Sequence, residues 1–185
     1  MPAPILAGES PVSLWFAPYA YAFPVDHLVH SLKYQGQLAV GRVLGTLLAR
    51  AAAARRLQVG VEVIVPVPLH PHRHAERGFN QSAEIARRAA RCLGCRFDES
   101  AVRRVRDTRP QVGLKPAERR ANVAGAFSAT GGQRGRRCVV VDDVITTGIT
   151  ASEVARALWD AGAYSVDVWG VARADGSSRA RTGMR

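Results

Sequence analysis

The sequence predicts an α/β fold with a mostly parallel central sheet flanked by helices, and three observations carry that expectation. First, Val139, Val140 and Val141 make a β-branched run between polar residues, the pattern of a short strand buried on both faces of a parallel sheet. Second, a similar run from Val61 to Val67 is followed by a helical pattern from Gln81 to Leu93. Third, helical periodicity over Ser152 to Ala161 precedes another strand-like stretch, Tyr164 to Ala172. At 185 residues the chain is long enough to bury a substantial core and is most simply one domain.

Composition narrows the class. Hydrophobic content of 47% with 22% charged residues is ordinary for a soluble globular protein. Arg interrupts every apolar run before it reaches the ~18 residues of a membrane span. The opening stretch, MPAPILAGESPVSLWF, has no basic leader ahead of its apolar residues and does not read as a secretory signal, so the expected location is the cytoplasm. Cys92, Cys95 and Cys138 leave an odd count and no disulfide framework, in keeping with a reducing compartment. The net charge of +11 implies attraction to polyanions, whether phosphorylated metabolites or nucleic acid. The charge is local: residues 87 to 120 hold eleven basic side chains against four acids.

Taken in order, residues 1–18 are expected to be a mobile lead-in anchored by Trp15 and Phe16. Tyr19 to Val25 is aromatic and β-prone. Asp26 is an expected N-cap for a helix over His27 to Tyr34 with an apolar stripe of Leu28, Val29 and Leu32, which Gly36 ends. A second helix is expected over about Leu38 to Leu57. Pro66 and Pro68 stop the Val61 strand, since proline cannot donate to a sheet ladder, and a rigid loop is expected to follow, up to Asn80. His70, Arg73 and Arg77 place cationic and donor groups at that strand's C-terminal edge, an arrangement suited to a diphosphate. Asn80 caps the helix that follows. Ser100 to Val105 reads as a sheet-edge strand. Residues 106 to 127 hold Arg106, Arg109, Lys115, Arg119 and Arg120 with Pro110, Gly113 and Pro116, the composition of a mobile basic loop, with a short helix over 117–123. The polar, basic stretch from 174 to 185 is expected to be disordered.

Metal sites are weakly signalled. Cys92 and Cys95 are half of a zinc spacing, His70, His72 and His74 alternate, and His27 and His30 lie three apart. None of these sets reaches the four ligands of a zinc site, and helix-end packing is the simpler reading of the cysteines.

The centre of the chain carries the chemistry. The valine strand is expected to stop at Asp142, which puts Asp142 and Asp143 at its C-terminal end, where open α/β sheets bind ligands. Carboxylates there can accept hydrogen bonds from a vicinal diol. The turn of Thr146, Thr147, Gly148, Ile149 and Thr150 offers hydroxyls, a permissive backbone and unpaired N–H groups before a helix, an anion cradle. A ligand that fits both halves has a phosphate and, about one ribose away, a pair of hydroxyls.

This stretch resembles the signature of type I phosphoribosyltransferases, which bind 5-phosphoribosyl-1-pyrophosphate (PRPP). In that family the acid pair holds the ribose 2′- and 3′-hydroxyls and the T-T-G-x-T turn wraps the 5′-phosphate. Further motifs narrow the resemblance: Leu32-Lys33-Tyr34-x-Gly36, Val65-Pro66-Val67-Pro68-Leu69-His70-Pro71, Glu76-Arg77-Gly78-Phe79-Asn80-Gln81, Thr108-Arg109-Pro110-Gln111, Glu118-Arg119-Arg120-Ala121-Asn122 and Ala126-Phe127. Over about residues 19 to 173 the chain is similar to the ComF family, amidophosphoribosyltransferase-like proteins associated with natural competence. Many members begin with a cysteine-rich zinc segment. No cysteine stands before residue 19 here, so the family roles that rely on that segment are not implied.

The resemblance implies a type I phosphoribosyltransferase domain over 19–173 with a small N-terminal hood at about 19–57. It implies that phosphoribosyl passes to an unidentified acceptor with loss of pyrophosphate. In it Asp142 and Asp143 fix the sugar; Thr146, Thr147, Gly148, Ile149 and Thr150 hold its phosphate; and Pro68, Leu69, His70, Arg73 and Arg77 form the diphosphate edge. The loop carrying Arg106, Arg109, Lys115 and Arg119 closes over the site, and Lys33 and Tyr34 belong to the hood where the acceptor docks. Mg²⁺ enters with PRPP, without a direct protein ligand. Two other readings stand beside the enzyme: a non-catalytic PRPP-binding regulator or competence factor, and a single-strand nucleic-acid binder using the arginine-rich stretch. Phe97 and Phe127 are the only aromatic residues near that stretch, poor support for base stacking. The oligomeric state is open, a homodimer included.

Overall fold

The computed structural model describes residues 10–69, 71–106 and 121–174. Its elements are β1 (Leu14–Phe16), β2 (Tyr19–Ala20), α1 (Val25–Gln35), α2 (Leu38–Ala54), β3 (Val63–Pro66), α3 (Pro71–Arg77), α4 (Gln81–Leu93), β4 (Arg96–Phe97), β5 (Val102–Arg104), β6 (Phe127–Ala129), β7 (Arg137–Ile145), α5 (Ile149–Asp160) and β8 (Ser165–Arg173). The main sheet is parallel, in the order β1-β8-β7-β3-β4, and β2 also pairs with β8. The expected α/β class and parallel sheet are therefore present.

The period of two along each strand sorts the core into layers. Val139 and Val141 of β7 meet Leu32 of α1, Leu44 and Leu48 of α2 and Ile85 of α4. Cys138 and Val140 meet Val154 and Leu158 of α5, with Val123 and Phe127, on the other face. All these side chains are buried, so the strand had to be apolar on both sides. On the first face α2 and α4 approach closely at Gly45, where an added Cβ would stand 2.5 Å from the Ile85 carbonyl oxygen. The expected hood is continuous with this layer: α1 and α2 share their core with α4.

Several caps follow expectation. Gly36 ends α1 in the left-handed region at φ 65°. The Asn80 side chain accepts from the Ser82 amide at 3.0 Å and starts α4.

Other boundaries are corrected. β7 does not stop at Asp142; it runs through both acids to Ile145, because β8 goes on pairing with it, Asp142 opposite Gly170 and Val144 opposite Ala172. α5 begins at Ile149, behind Gly148 at φ 71°, rather than at Ser152. Leu14–Phe16 is an edge strand on β8, not lead-in. Pro24, not Asp26, precedes α1; Asp26 lies in the first turn and accepts from the His27 amide at 2.7 Å. Pro71–Arg77 is helical rather than a loop, since a proline at the first helical position loses no hydrogen bond. β5 pairs antiparallel with β6 as a separate ribbon instead of joining the main edge.

Residues 121–123 are helical, the described end of the helix expected over 117–123. Expectations for His70, the Arg73 side chain, Arg109, Lys115, Arg119 and 175–185 lie outside the described residues. Among the described residues no helix is long and apolar enough to cross a membrane.

Candidate functional site

β7 delivers both acids to the C-terminal end of the sheet, and the two meet different surroundings. Asp142 is half-buried. Its Oδ1 accepts from the Ser82 hydroxyl at 3.1 Å and from the Asp143 amide at 2.9 Å. Its Oδ2 takes no donor among the described residues. Asp143 is buried, 4% exposed. Its Oδ1 accepts from the Val144 amide at 2.6 Å, and its Oδ2 lies 2.9 Å from the Lys33 ammonium.

Electrostatics follow from this packing. Burial, then the Asp143 charge, pushes the Asp142 carboxyl up to about 7, against the opposing pull of Lys33 and the hydrogen bonds from Asp143 and Ser82. Burial works to lower the Lys33 ammonium. Asp143, by charge and hydrogen bond, with Asp142 and Tyr21 outweighs it, and the net shift is upward. Lys33 is therefore charged at neutral pH.

The turn follows directly. Thr146 and Thr147 are exposed, Gly148 and Thr150 half-buried and Ile149 buried. The amides of Thr147, Gly148 and Ile149 donate to no acceptor among the described residues; the first helical bond here runs from the Ser152 amide to the Gly148 carbonyl, at 2.8 Å. These N–H groups at the start of α5 are free to face an anion.

A chain of contacts joins the β3 edge to the acids. Asn80 Nδ2 donates to the Val67 carbonyl at 3.0 Å, immediately before Pro68 and Leu69. Its Oδ1 holds Ser82, and Ser82 holds Asp142. Sequence reasoning found Asn80 as a cap and missed Ser82, whose bond to Asp142 crosses 60 residues of chain and has no local signal.

The remaining candidates are distributed as follows. Lys33 reaches the acid pair, while Tyr34 is exposed, its ring 4.6 Å from that of His30 and 5.3 Å from the Arg77 guanidinium. Arg77 also donates to Gln81 at 3.1 Å. Arg106 donates to the carbonyls of Asn122 and Ala124 at 3.0 and 2.7 Å, so it ties residues on either side of 107–120. Cys92 is exposed, Cys95 half-buried against the Val61 carbonyl at 3.6 Å, and Cys138 buried. Among the described residues no group of three or more His, Cys, Asp and Glu could hold a metal ion.

The family model of the phosphoribosyl transferase domain matches residues 80–180, from the Asn80 cap through both acids and the turn. This chain belongs to the phosphoribosyl transferase domain family. It is 38% identical over 156 residues to the DNA utilization protein YhgH of Escherichia coli strain K12, covering 83% of this chain and 69% of that protein. It is also 38% identical over 160 residues to competence protein F of Haemophilus influenzae, covering 83% of this chain and 70% of that protein. These matches bear out the ComF resemblance drawn from the motifs. Among solved structures, the glutamine PRPP amidotransferase of B. subtilis is 26% identical with a TM-score of 0.49, over 71% of this chain and 26% of that one. Lys33 lies ahead of the residues that the phosphoribosyl transferase model matches, so that model alone would not have drawn attention to it.

Proposed function

We propose that the chain binds PRPP and transfers its phosphoribosyl group to an acceptor, releasing pyrophosphate. One observation carries the reading: Asp142 Oδ2 and the amides of Thr147, Gly148 and Ile149, none of which has a hydrogen-bond partner among the described residues, share one end of a parallel sheet, five to seven residues apart along the chain. In this reading the acid pair takes the ribose diol and the turn takes the 5′-phosphate. Pro68 and Leu69, tethered through Asn80, border the diphosphate.

Displacement at ribose C1 breaks the bond to the diphosphate oxygen while positive charge develops on the sugar. The protein's part is positioning and electrostatics rather than covalent chemistry. The chemistry of the acids suits Mg²⁺ brought by the ligand: carboxylates are hard oxygen donors, the kind this ion accepts. Asp142 would hold the sugar that brings the ion, and the ion would offset diphosphate charge. Location in the cytoplasm and a role in competence belong to the same proposal.

The names of the relatives favour a second reading, a DNA-related role without turnover. The arginine surplus supports it less than its count implies. Arg87 is paired with Glu84 and Glu99, Arg96 with Asp98, and Arg88 donates to Thr46. Pyrophosphate release from Mg–PRPP in the presence of ammonia or free nucleobases separates the two. Release that disappears in Asp142→Asn is the expected result; tight PRPP binding without release against the whole acceptor panel would favour the regulator.

A further inference from the structure

We propose that the two acids divide their work: Asp143 is the counter-ion that fixes Lys33 at the ribose end of the site, and the Lys33 ammonium, with Asp142 Oδ2, contacts the bound ligand. The inference rests on the PRPP reading and assigns roles within it.

The geometry supports the division. Both oxygens of Asp143 are engaged, one by the Val144 amide and one by Lys33, and the residue is almost fully enclosed. Asp142 Oδ2 takes no donor among the described residues. An ammonium carries three N–H donors, and the ion pair with Asp143 leaves donors for oxygens of the ligand. The Lys33 side chain retains 20% exposure against 6% for that of Asp143, so solvent, and hence a ligand, reaches the cation more readily than its partner.

Charge argues the same way. The groups facing Asp142 are Asp143 on its own strand, Lys33 from α1 and the Ser82 hydroxyl from α4; those facing Lys33 are Asp143, Asp142 and Tyr21. Two bare carboxylates would repel a sugar bearing a phosphate and a diphosphate. Lys33 brings the cluster to a formal charge of −1 and helps keep Asp142 ionised, the form that accepts from hydroxyls. Because Lys33 lies in the last turn of α1, the N-terminal helices are tied electrostatically to the sugar site.

The test is calorimetric titration of ribose 5-phosphate, and separately Mg–PRPP, into the full chain, Lys33→Met, and Lys33→Met with Asp143→Asn, from pH 6 to 9. Lys33→Met alone strands a buried carboxylate and is destabilising; removing both charges relieves that cost, so the double variant keeps the question open to measurement if the single one folds poorly. The expected result is loss of affinity by about tenfold or more, the scale of one charge-assisted contact, in both variants. In Lys33→Met the pH at which affinity rises also moves upward, since the cation that lowered the Asp142 carboxyl is gone. A lysine that merely braces α1 would give a loss independent of pH that the double variant recovers along with its melting temperature. That outcome, or unchanged affinity, overturns the division while leaving PRPP binding intact. Failure of the unaltered chain to bind either ligand overturns the PRPP reading and this one together.

Discussion

The indole of Trp15 lies against Gly148 so closely that an added Cβ would stand 2.6 Å from its Cη2 atom. The edge strand β1 therefore backs the turn proposed to hold the 5′-phosphate, at a residue whose φ of 71° already disfavours a side chain.

Gly148→Ala meets both obstacles. Left-handed strain and overpacking together cost about 2–4 kcal/mol, and the turn is displaced from the start of α5. Phosphate-dependent affinity is expected to fall further than the melting temperature. Trp15→Leu in the same chain relieves the clash but not the backbone strain, so differential scanning calorimetry of the pair should show partial recovery only; full recovery would mean that φ at this position is unconstrained.

Asp142 should make the protein less stable as its site becomes functional. Its folded carboxyl sits at about 7 against an ordinary 3.8, so between those values the folded state holds a proton that the unfolded state has lost. The sign follows: the contribution of Asp142 to stability falls as pH rises through that window. Asp142→Asn removes the falling contribution and the repulsion from Asp143. At pH 8 it is expected to raise stability by on the order of 1 kcal/mol, discounted for partial exposure, a shift of a few degrees in Tm. Thermal denaturation of both chains across pH 4 to 8 checks this; a lower Tm for the variant at pH 8 would show that the charge is better compensated than the contacts imply.

Ser82→Ala removes a donor that favours the charged form of Asp142. Ser82 is buried at the start of α4 with its amide still capped by Asn80, so the fold should hold. Loss of one hydrogen bond to a charged group is worth about 1.5–3 kcal/mol, read as weaker binding of ribose 5-phosphate near pH 7 that improves toward pH 9. A loss that does not recover with pH would assign Ser82 a role other than tuning the acid.

Asn80→Ala cuts the same path one step earlier, removing a helix cap and the bond to the Val67 carbonyl. Stability should drop by about 1–2 kcal/mol. Inorganic pyrophosphate should bind more weakly as well, because the chain ahead of Pro68 and Leu69 loses its tether. Unchanged pyrophosphate affinity would separate the cap from the site.

What the sequence made legible is what local chemistry specifies. Asn80 announced the start of α4 and Gly36 the end of α1, since a side-chain cap and a left-handed glycine act within a turn. The acid pair and the glycine turn were readable because both lie on one continuous stretch. Distant partners hid the rest. Asp142 and Asp143 are poor strand formers, and only the ladder to β8 keeps them in β7. Leu14–Phe16 has too little pattern to declare itself without the edge of β8 beside it. Lys33 stood out as part of a motif, but its engagement with Asp143 depends on where α1 packs, which no periodicity in the helix reveals.

Calorimetric titration of Mg–PRPP into the full chain and into Asp142→Asn tests the central claim most directly. The account predicts saturable binding at one site by the unaltered chain, weakened by roughly tenfold to a hundredfold in the variant, the range for one hydrogen bond to a charged acceptor. Equal affinity of the two chains, or no binding by either, would contradict it.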